Sequence, residues 1–190
     1  MTIIDKFMSA VWILWFISEI YLGKKTHVES DKPNKWDKFS IYVVLTTVYV
    51  SVGLSVFFWL NTIGTIRPYH KIISMMGIFL VFFGLIIRWT AVFTLKKYFT
   101  TRVMIQSGHK VIRNGIYRYI RHPSYAGSLF SFLGMGMYFS NWASILVLVV
   151  PLFLAFMYRI RVEEKALTEA LGNAYTEYSK QTKRFIPYVF

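Results

Sequence analysis

The sequence predicts an all-α integral membrane protein, a helical bundle of about five transmembrane helices. Hydrophobic residues make up 55% of the 190 positions and charged residues only 16%, so the surroundings of the folded chain must be largely apolar. The apolar residues fall in long uncharged runs, and most of the 22 Lys and Arg residues lie between those runs. Aromatic residues reach 19% and crowd near the ends of the runs, as interfacial belts do.

The first span covers Ile3 to Leu22; it contains Glu19 and lacks a small-residue cleavage pattern, so it reads as a permanent span. The second, Phe39 to Leu60, is free of charge and matches the roughly 20 residues that cross about 30 Å of hydrocarbon. The third begins near Ile72, stays uncharged to Ile87 and continues through Arg88 towards Phe93. An arginine there snorkels, pairs with an acid or lines a cavity, and the sequence leaves these three open. From Pro123 to Tyr158 no charge occurs, and a single helix over that stretch would be roughly 54 Å long, too long for one crossing. It therefore folds as a hairpin with its break at Ser140 and Asn141, giving a fourth and a fifth helix that are each slightly short for a full bilayer. Pro151 is placed to kink the fifth. Ala126, Gly127, Ser131 and Gly134 recur at helical spacing, which permits close approach to a neighbouring span.

Charge sets the expected orientation. The Lys24 to Lys38 segment holds five basic residues, Lys96 to Arg121 seven, and the tail after Tyr158 six. The opposite side holds Lys6, Arg67 and Lys71. The positive-inside rule then puts the amino terminus outside and the carboxyl terminus in the cytosol, which needs an odd number of crossings. The same distribution accounts for the net charge of +13 without a nucleic-acid partner, leaving membrane lipids as the partner of the basic loops. With no cysteine, thiolate chemistry is excluded, and His27, His70, His109 and His122 lack the spacing of a metal site.

Two segments on the expected cytosolic side carry candidate chemistry, and the hairpin brings them together. The first runs SGHKVIRNGIYRYIRHPSYAG from Ser107, with Pro123 where a helix can begin. Its His and Tyr residues supply hydrogen-bonding and stacking groups, although by composition the stretch also reads as an interfacial anchor. The second, RIRVEEKALTEALGNAYTEYSKQTKRFIP from Arg159, places Arg159 and Glu163 four apart on one helix face. An arginine and two acids at a bilayer boundary are costly unless paired or used. Gly172 is expected to end that helix, and Tyr175 and Tyr178 then share one face of a final short helix. A site built from both segments would be a pocket at the cytosolic mouth of the last two helices.

GHKVI, NGIYRYIRHPSYAG, an uncharged hairpin, RIRVEEKALTEALGNAYTEY and a closing TKRFIP together resemble the isoprenylcysteine carboxyl methyltransferase family, from about Gly84 to Pro187. Phospholipid N-methyltransferases are near relatives of that family. The resemblance implies a single transmembrane methyltransferase domain over 1–190, with 1–71 holding the first two spans and loops and 72–190 a catalytic core with helical hairpin and cytosolic tail. It implies S-adenosylmethionine as cofactor, contacted by His109, Lys110, Val111, Ile112, Tyr117, His122, Pro123, Ser124, Tyr125 and the acid Glu163. It also implies that Arg159 holds the carboxylate of a lipophilic small-molecule or lipidated acceptor, so that Arg159 and Glu163 are the catalytic pair, with no metal. If the acceptor is an amine instead, Arg159 is available to a lipid phosphate. Sterol reductases look similar in their carboxyl-terminal helices and use NADPH, and a non-catalytic scaffold is a further alternative that leaves Arg159, Glu163 and Glu164 without a task.

Overall fold

In a computed structural model, residues 3–25, 37–100 and 110–185 are described. They form α1 (Ile3–Lys25), α2 (Asp37–Leu60), α3 (His70–Leu95), α4 (Pro123–Tyr138), α5 (Trp142–Leu171) and a short α6 (Asn173–Gln181). Two single 3₁₀ turns, Lys96–Tyr98 and Gly115–Arg118, complete the elements, and no strand occurs among the described residues. The expected five long helices are present. Three of them, α2 from Phe39, α3 and α5, are long and apolar enough to cross a bilayer by themselves. The 16 residues of α4 extend only about 24 Å. Helix α5 is not short for a bilayer, as the apolar stretch alone led one to expect: it runs 30 residues, because the helix continues past the charged Arg159, Glu163 and Glu164 and stops only at Gly172, whose φ is +52°. Pro151 lies inside α5 without ending it.

The chain reverses between α4 and α5 at the expected place. Ser140 adopts a left-handed φ of +47°, and Asn141 caps α5 by accepting the Ser144 N–H at 2.9 Å. The Asn141 amide is buried and donates to the Ile63 carbonyl at 2.7 Å, which ties the turn to the α2–α3 loop. Ile66 N–H donates to Ser140 O at 2.7 Å and Trp142 N–H to Gly64 O at 2.9 Å. At the opposite end, Arg121 N–H donates to Lys183 O at 2.7 Å and His122 N–H to Arg184 O at 3.1 Å. The segment before α4 is thereby joined to the segment after α6. Each end of the bundle is closed by backbone hydrogen bonds that loops in water would otherwise give to solvent.

Packing between helices relies on small residues. Gly77 faces Gly134 and Gly84 faces Gly127, so that α3 and α4 meet backbone to backbone. A Cβ on Gly84 would lie 2.4 Å from the Gly127 carbonyl, and one on Gly127 2.5 Å from the Gly84 carbonyl. Serines fill equivalent gaps elsewhere: the Ser144 hydroxyl reaches across to the Ser55 carbonyl at 2.8 Å. Large apolar side chains point outward instead, among them Phe79, Ile86 and Phe93 of α3, each about two-thirds exposed. Small residues inside and large ones outside is the arrangement favoured when lipid, not water, surrounds the bundle.

Gly127→Ala is therefore expected to lower the unfolding midpoint in detergent by the equivalent of about 1–3 kcal/mol, an overpacking cost. Gly53→Ala on α2, where a Cβ meets nothing within 4 Å, is expected to be neutral or slightly stabilising. Equal midpoints for the two variants would show that the α3–α4 contact is not tight.

Candidate functional site

Pro123 occupies the first turn of α4, where its missing N–H costs nothing, and fixes the point at which the basic segment becomes a helix. His122 therefore immediately precedes the helix and Tyr125 lies within its first turn. The other half of the site rides on the end of α5, where Arg159 and Glu163 project towards α4. Tyr125 stands between them: its hydroxyl accepts from Arg159 Nε at 2.9 Å and donates to Glu163 Oε2 at 3.0 Å. Arg159 Nη1 donates to the Ser40 hydroxyl of α2 at 2.8 Å, so three helices share one hydrogen-bonded chain.

Glu164, the second acid of the pair, turns the other way and collects cations. Arg121 Nε donates to it at 3.0 Å, Arg184 Nη2 at 2.6 Å, and His122 Nε2 lies 3.3 Å from Oε1. The other ring nitrogen of His122 is 3.9 Å from Glu163 Oε2, so this buried imidazole sits between both acids. Arg121 also donates to the carbonyls of Ser179, at 2.8 Å, and Thr182. The tail is held in place by these bonds.

Arg121, His122, Tyr125, Arg159 and Glu163, but not Glu164 or Arg184, border a cavity of about 490 Å³, within the range of roughly 300–1,000 Å³ typical of small-molecule sites. One end is polar, bounded by His122, Tyr125, Arg159 and Glu163. The aromatic wall beside it comes from Tyr117, Tyr175 and Tyr178. Burial, with the Glu163 charge adding to it, raises the Tyr117 phenol well above its ordinary range. Burial likewise pushes Tyr178 up to about 12, and its neutral hydroxyl donates to the Tyr117 carbonyl at 2.7 Å. The other end is apolar, built from Trp15 and Phe16 of α1, Val44 and Val48 of α2, and Phe132 of α4. Ile20, Leu45 and Tyr49 on its rim are largely exposed.

Of the residues singled out in the sequence, Lys110, Val111, Ile112, Tyr117, His122, Ser124, Tyr125, Arg159 and Glu163 all border this one cavity. Pro123 is fully buried at the helix start and is not among the lining residues. His109 lies outside the described residues. Sequence reasoning missed Glu19, Ser40 and the cation-collecting role of Glu164, and left Arg88 out of the site. Arg88 lines the cavity, donates to the Ser124 hydroxyl at 2.7 Å, and forms an ion pair with Glu19. A signal was there to be used: Glu19 and Arg88 are opposite charges inside apolar runs, and such charges usually find each other.

The class defined by this architecture is a helical integral membrane protein with a partly polar, partly apolar cavity at one end of its bundle. A model of the isoprenylcysteine carboxyl methyltransferase family matches residues 75–169, from α3 through most of α5. The chain belongs to that family. It is 33% identical over 122 residues to protein-S-isoprenylcysteine O-methyltransferase B of Arabidopsis thaliana, covering 63% of this chain and 62% of that protein. Protein-S-isoprenylcysteine O-methyltransferase of Saccharomyces cerevisiae is 28% identical over 183 residues, covering 92% of this chain and 74% of the relative. The chain thus spans somewhat under two thirds of the length of the plant relative. A solved eukaryotic intramembrane isoprenylcysteine carboxyl methyltransferase has the same fold, with a TM-score of 0.57 and 24% identity, over 82% of this chain and 54% of that one.

The Glu164 cluster can be tested by itself. Glu164→Gln leaves Arg121 and Arg184 without their anion, and the unfolding free energy is expected to fall by about 2–3 kcal/mol. Trypsin is expected to cut after Lys183 and Arg184 several times faster than in the wild type. Unchanged cleavage would mean that the tail is held by other contacts.

Proposed function

We propose that this chain is an S-adenosylmethionine-dependent methyltransferase that esterifies the carboxylate of an isoprenylcysteine-like lipid acceptor. The observation that carries this reading is the two-ended cavity: an acid and an arginine joined by a tyrosine at one end, aromatic and aliphatic walls at the other. The plant and yeast relatives, both named protein-S-isoprenylcysteine O-methyltransferases, support the same acceptor class.

S-adenosylmethionine, when bound, supplies a methyl group activated on a sulfonium. The donor set of the polar end fits such a cation-bearing molecule. Glu163 offers charge complementarity in a partly dry pocket, and the neutral rings of Tyr117 and Tyr125 offer faces to a purine or a sulfonium. Lys110, Val111 and Ile112 provide backbone and apolar contacts beside them. His122, wedged between Glu163 and Glu164, fixes the direction of the acid. Arg159 is held by Tyr125 and Ser40 at a fixed angle and can present its guanidinium to an acceptor carboxylate. Methyl transfer is an in-line displacement, so the protein's work is alignment and exclusion of water, and these residues are suited to both. The domain would be one unit, with 1–71 adding an apolar wall to the core at 72–190. Its polar end would face the cytosol, with the amino terminus outside, as the distribution of basic residues favours.

Purified protein in nanodiscs, given methyl-labelled S-adenosylmethionine, is expected to put a base-labile label on N-acetyl-S-farnesylcysteine. Label in phosphatidylethanolamine instead would replace the carboxylate by an amine acceptor, and NADPH binding without any transfer would end the reading. Glu163→Gln is expected to weaken S-adenosylhomocysteine binding about tenfold or more, as loss of a charge-assisted contact does. Arg159→Lys, which keeps the charge but loses the fork, is expected to lower turnover and leave that affinity near wild type.

A further inference from the structure

Helix α1 carries one charge between Phe7 and Leu22, the acid Glu19, and α3 carries one between Ile72 and Leu95, Arg88. The two meet in the wall of the cavity. Arg88 presents Nε and Nη2 to the two oxygens of Glu19, a paired fork, while its Nη1 donates to Ser124 Oγ at 2.7 Å. Both residues border the same space as Arg159 and Glu163. A guanidinium fork that already holds a carboxylate, inside a cavity suited to a carboxylate-bearing lipid, is an arrangement that needs a reason.

A purely structural reason is weak. In a low-dielectric setting, an ion pair contributes little beyond the cost of drying its two charges, and an apolar pair would hold α1 as well. Trp12 and Trp15 of α1 pack on Phe132, and Phe7 packs on Phe82. Among the described residues, α1 makes no counterpart of the glycine contact that locks α3 to α4, and so it is the wall best able to move. The Glu19 side chain is also more exposed than its partner, at 23% against 10%.

We infer that Glu19 is a resident stand-in for the acceptor's carboxylate: it occupies the Arg88 fork until an incoming carboxylate takes its place, and the exchange makes α1 yield to the acceptor. This rests on the carboxylate reading proposed above, with the acceptor's one carboxylate lying between the Arg159 guanidinium and the Arg88 fork, both of which border the cavity. The exchange is inexpensive because Arg88 passes from one anion to another and is never left dry and unpaired. Glu19 lies within about two turns of the end of α1, near the charged boundary where a released carboxylate regains water. The pair also selects acceptors. A neutral ester cannot compete for the fork, whereas an amine would be drawn to Glu19 and would gain from its charge.

The test uses the whole chain in nanodiscs with S-adenosylhomocysteine present, titrated by calorimetry with N-acetyl-S-farnesylcysteine, its methyl ester and farnesylamine. Glu19→Gln is expected to bind the free acid at least about fivefold more tightly than wild type, the lower end of typical site couplings, with the ester unchanged. Glu19→Asp keeps a charge for folding but shortens the reach, and is expected to shift in the same direction by less. Unchanged acid affinity in both variants overturns the inference, as does equal weakening of acid and ester, which would make the pair a simple brace for α1. Loss of amine binding with no change for the acid overturns it too, by making Glu19 an amine site. Because binding alone is read, a failure of methyl transfer in the wild type would be seen separately.

Discussion

The close approach of α3 to α4 is the constraint on which the remainder of the structure depends. Two glycine pairs, Gly77 with Gly134 and Gly84 with Gly127, bring the backbones to a distance that no side chain permits. Arg88 lies one turn beyond Gly84, and Ser124 lies one turn before Gly127. The contact between the glycines therefore delivers the guanidinium of α3 to the first turn of α4, where Ser124 receives it. In lipid, where helices gain little from hiding apolar surface, such backbone proximity is a main source of association energy. A chain that met the same positions with larger residues would lose packing and the polar end of the cavity together.

Charge placement follows from the same economy. Each ionised group near the bilayer boundary must be matched, because an unmatched one would shed its charge or drag water inward. Glu164 meets this with Arg121, Arg184 and His122, and its purpose is to hold the tail against the start of α4. Glu163, one residue earlier, is left with a tyrosine hydroxyl and a more distant histidine. Two adjacent acids on one helix thus take different tasks because they point a third of a turn apart. The saturated acid is structural, and the under-coordinated one faces the cavity with capacity to spare for a cation.

Much of this was legible in the sequence, for identifiable reasons. The hairpin could be read because 36 uncharged positions from Pro123 to Tyr158 cannot be one crossing, and Ser140 with Asn141 is the polar break within them. Gly172 could be read as a stop because a glycine, which takes a positive φ at little cost, follows the last amphipathic turn of α5, and its φ is indeed positive. The convergence of the two charged segments followed from the hairpin. The lone opposite charges in two apolar runs offered Glu19 and Arg88 as partners, but at 69 positions apart and with no shared periodicity, the sequence could not place their pair in the cavity wall. Nor does spacing tell that Glu163 and Glu164 divide their work, or that Pro123 shapes the helix start without touching the cavity. Those outcomes are set by side-chain direction at close quarters, which only three-dimensional packing decides.

A division of labour between the two halves of the chain emerges from the same geometry. The family match begins in α3 and ends within α5, so it takes in most of the residues at the polar end, Arg88, Tyr117, His122, Tyr125, Arg159 and Glu163. The apolar end is supplied largely by α1 and α2, which lie outside that match. A rigid polar end, locked by glycine contacts and saturated charges, keeps its geometry whatever the apolar wall contains. On the function proposed above, the wall could then change with the acceptor's tail while the alignment of reacting groups is preserved. The ion pair of Glu19 with Arg88 joins α1 to the glycine-locked side of the cavity. In the exchange inferred above, it is the point at which an arriving acceptor would be felt on both sides.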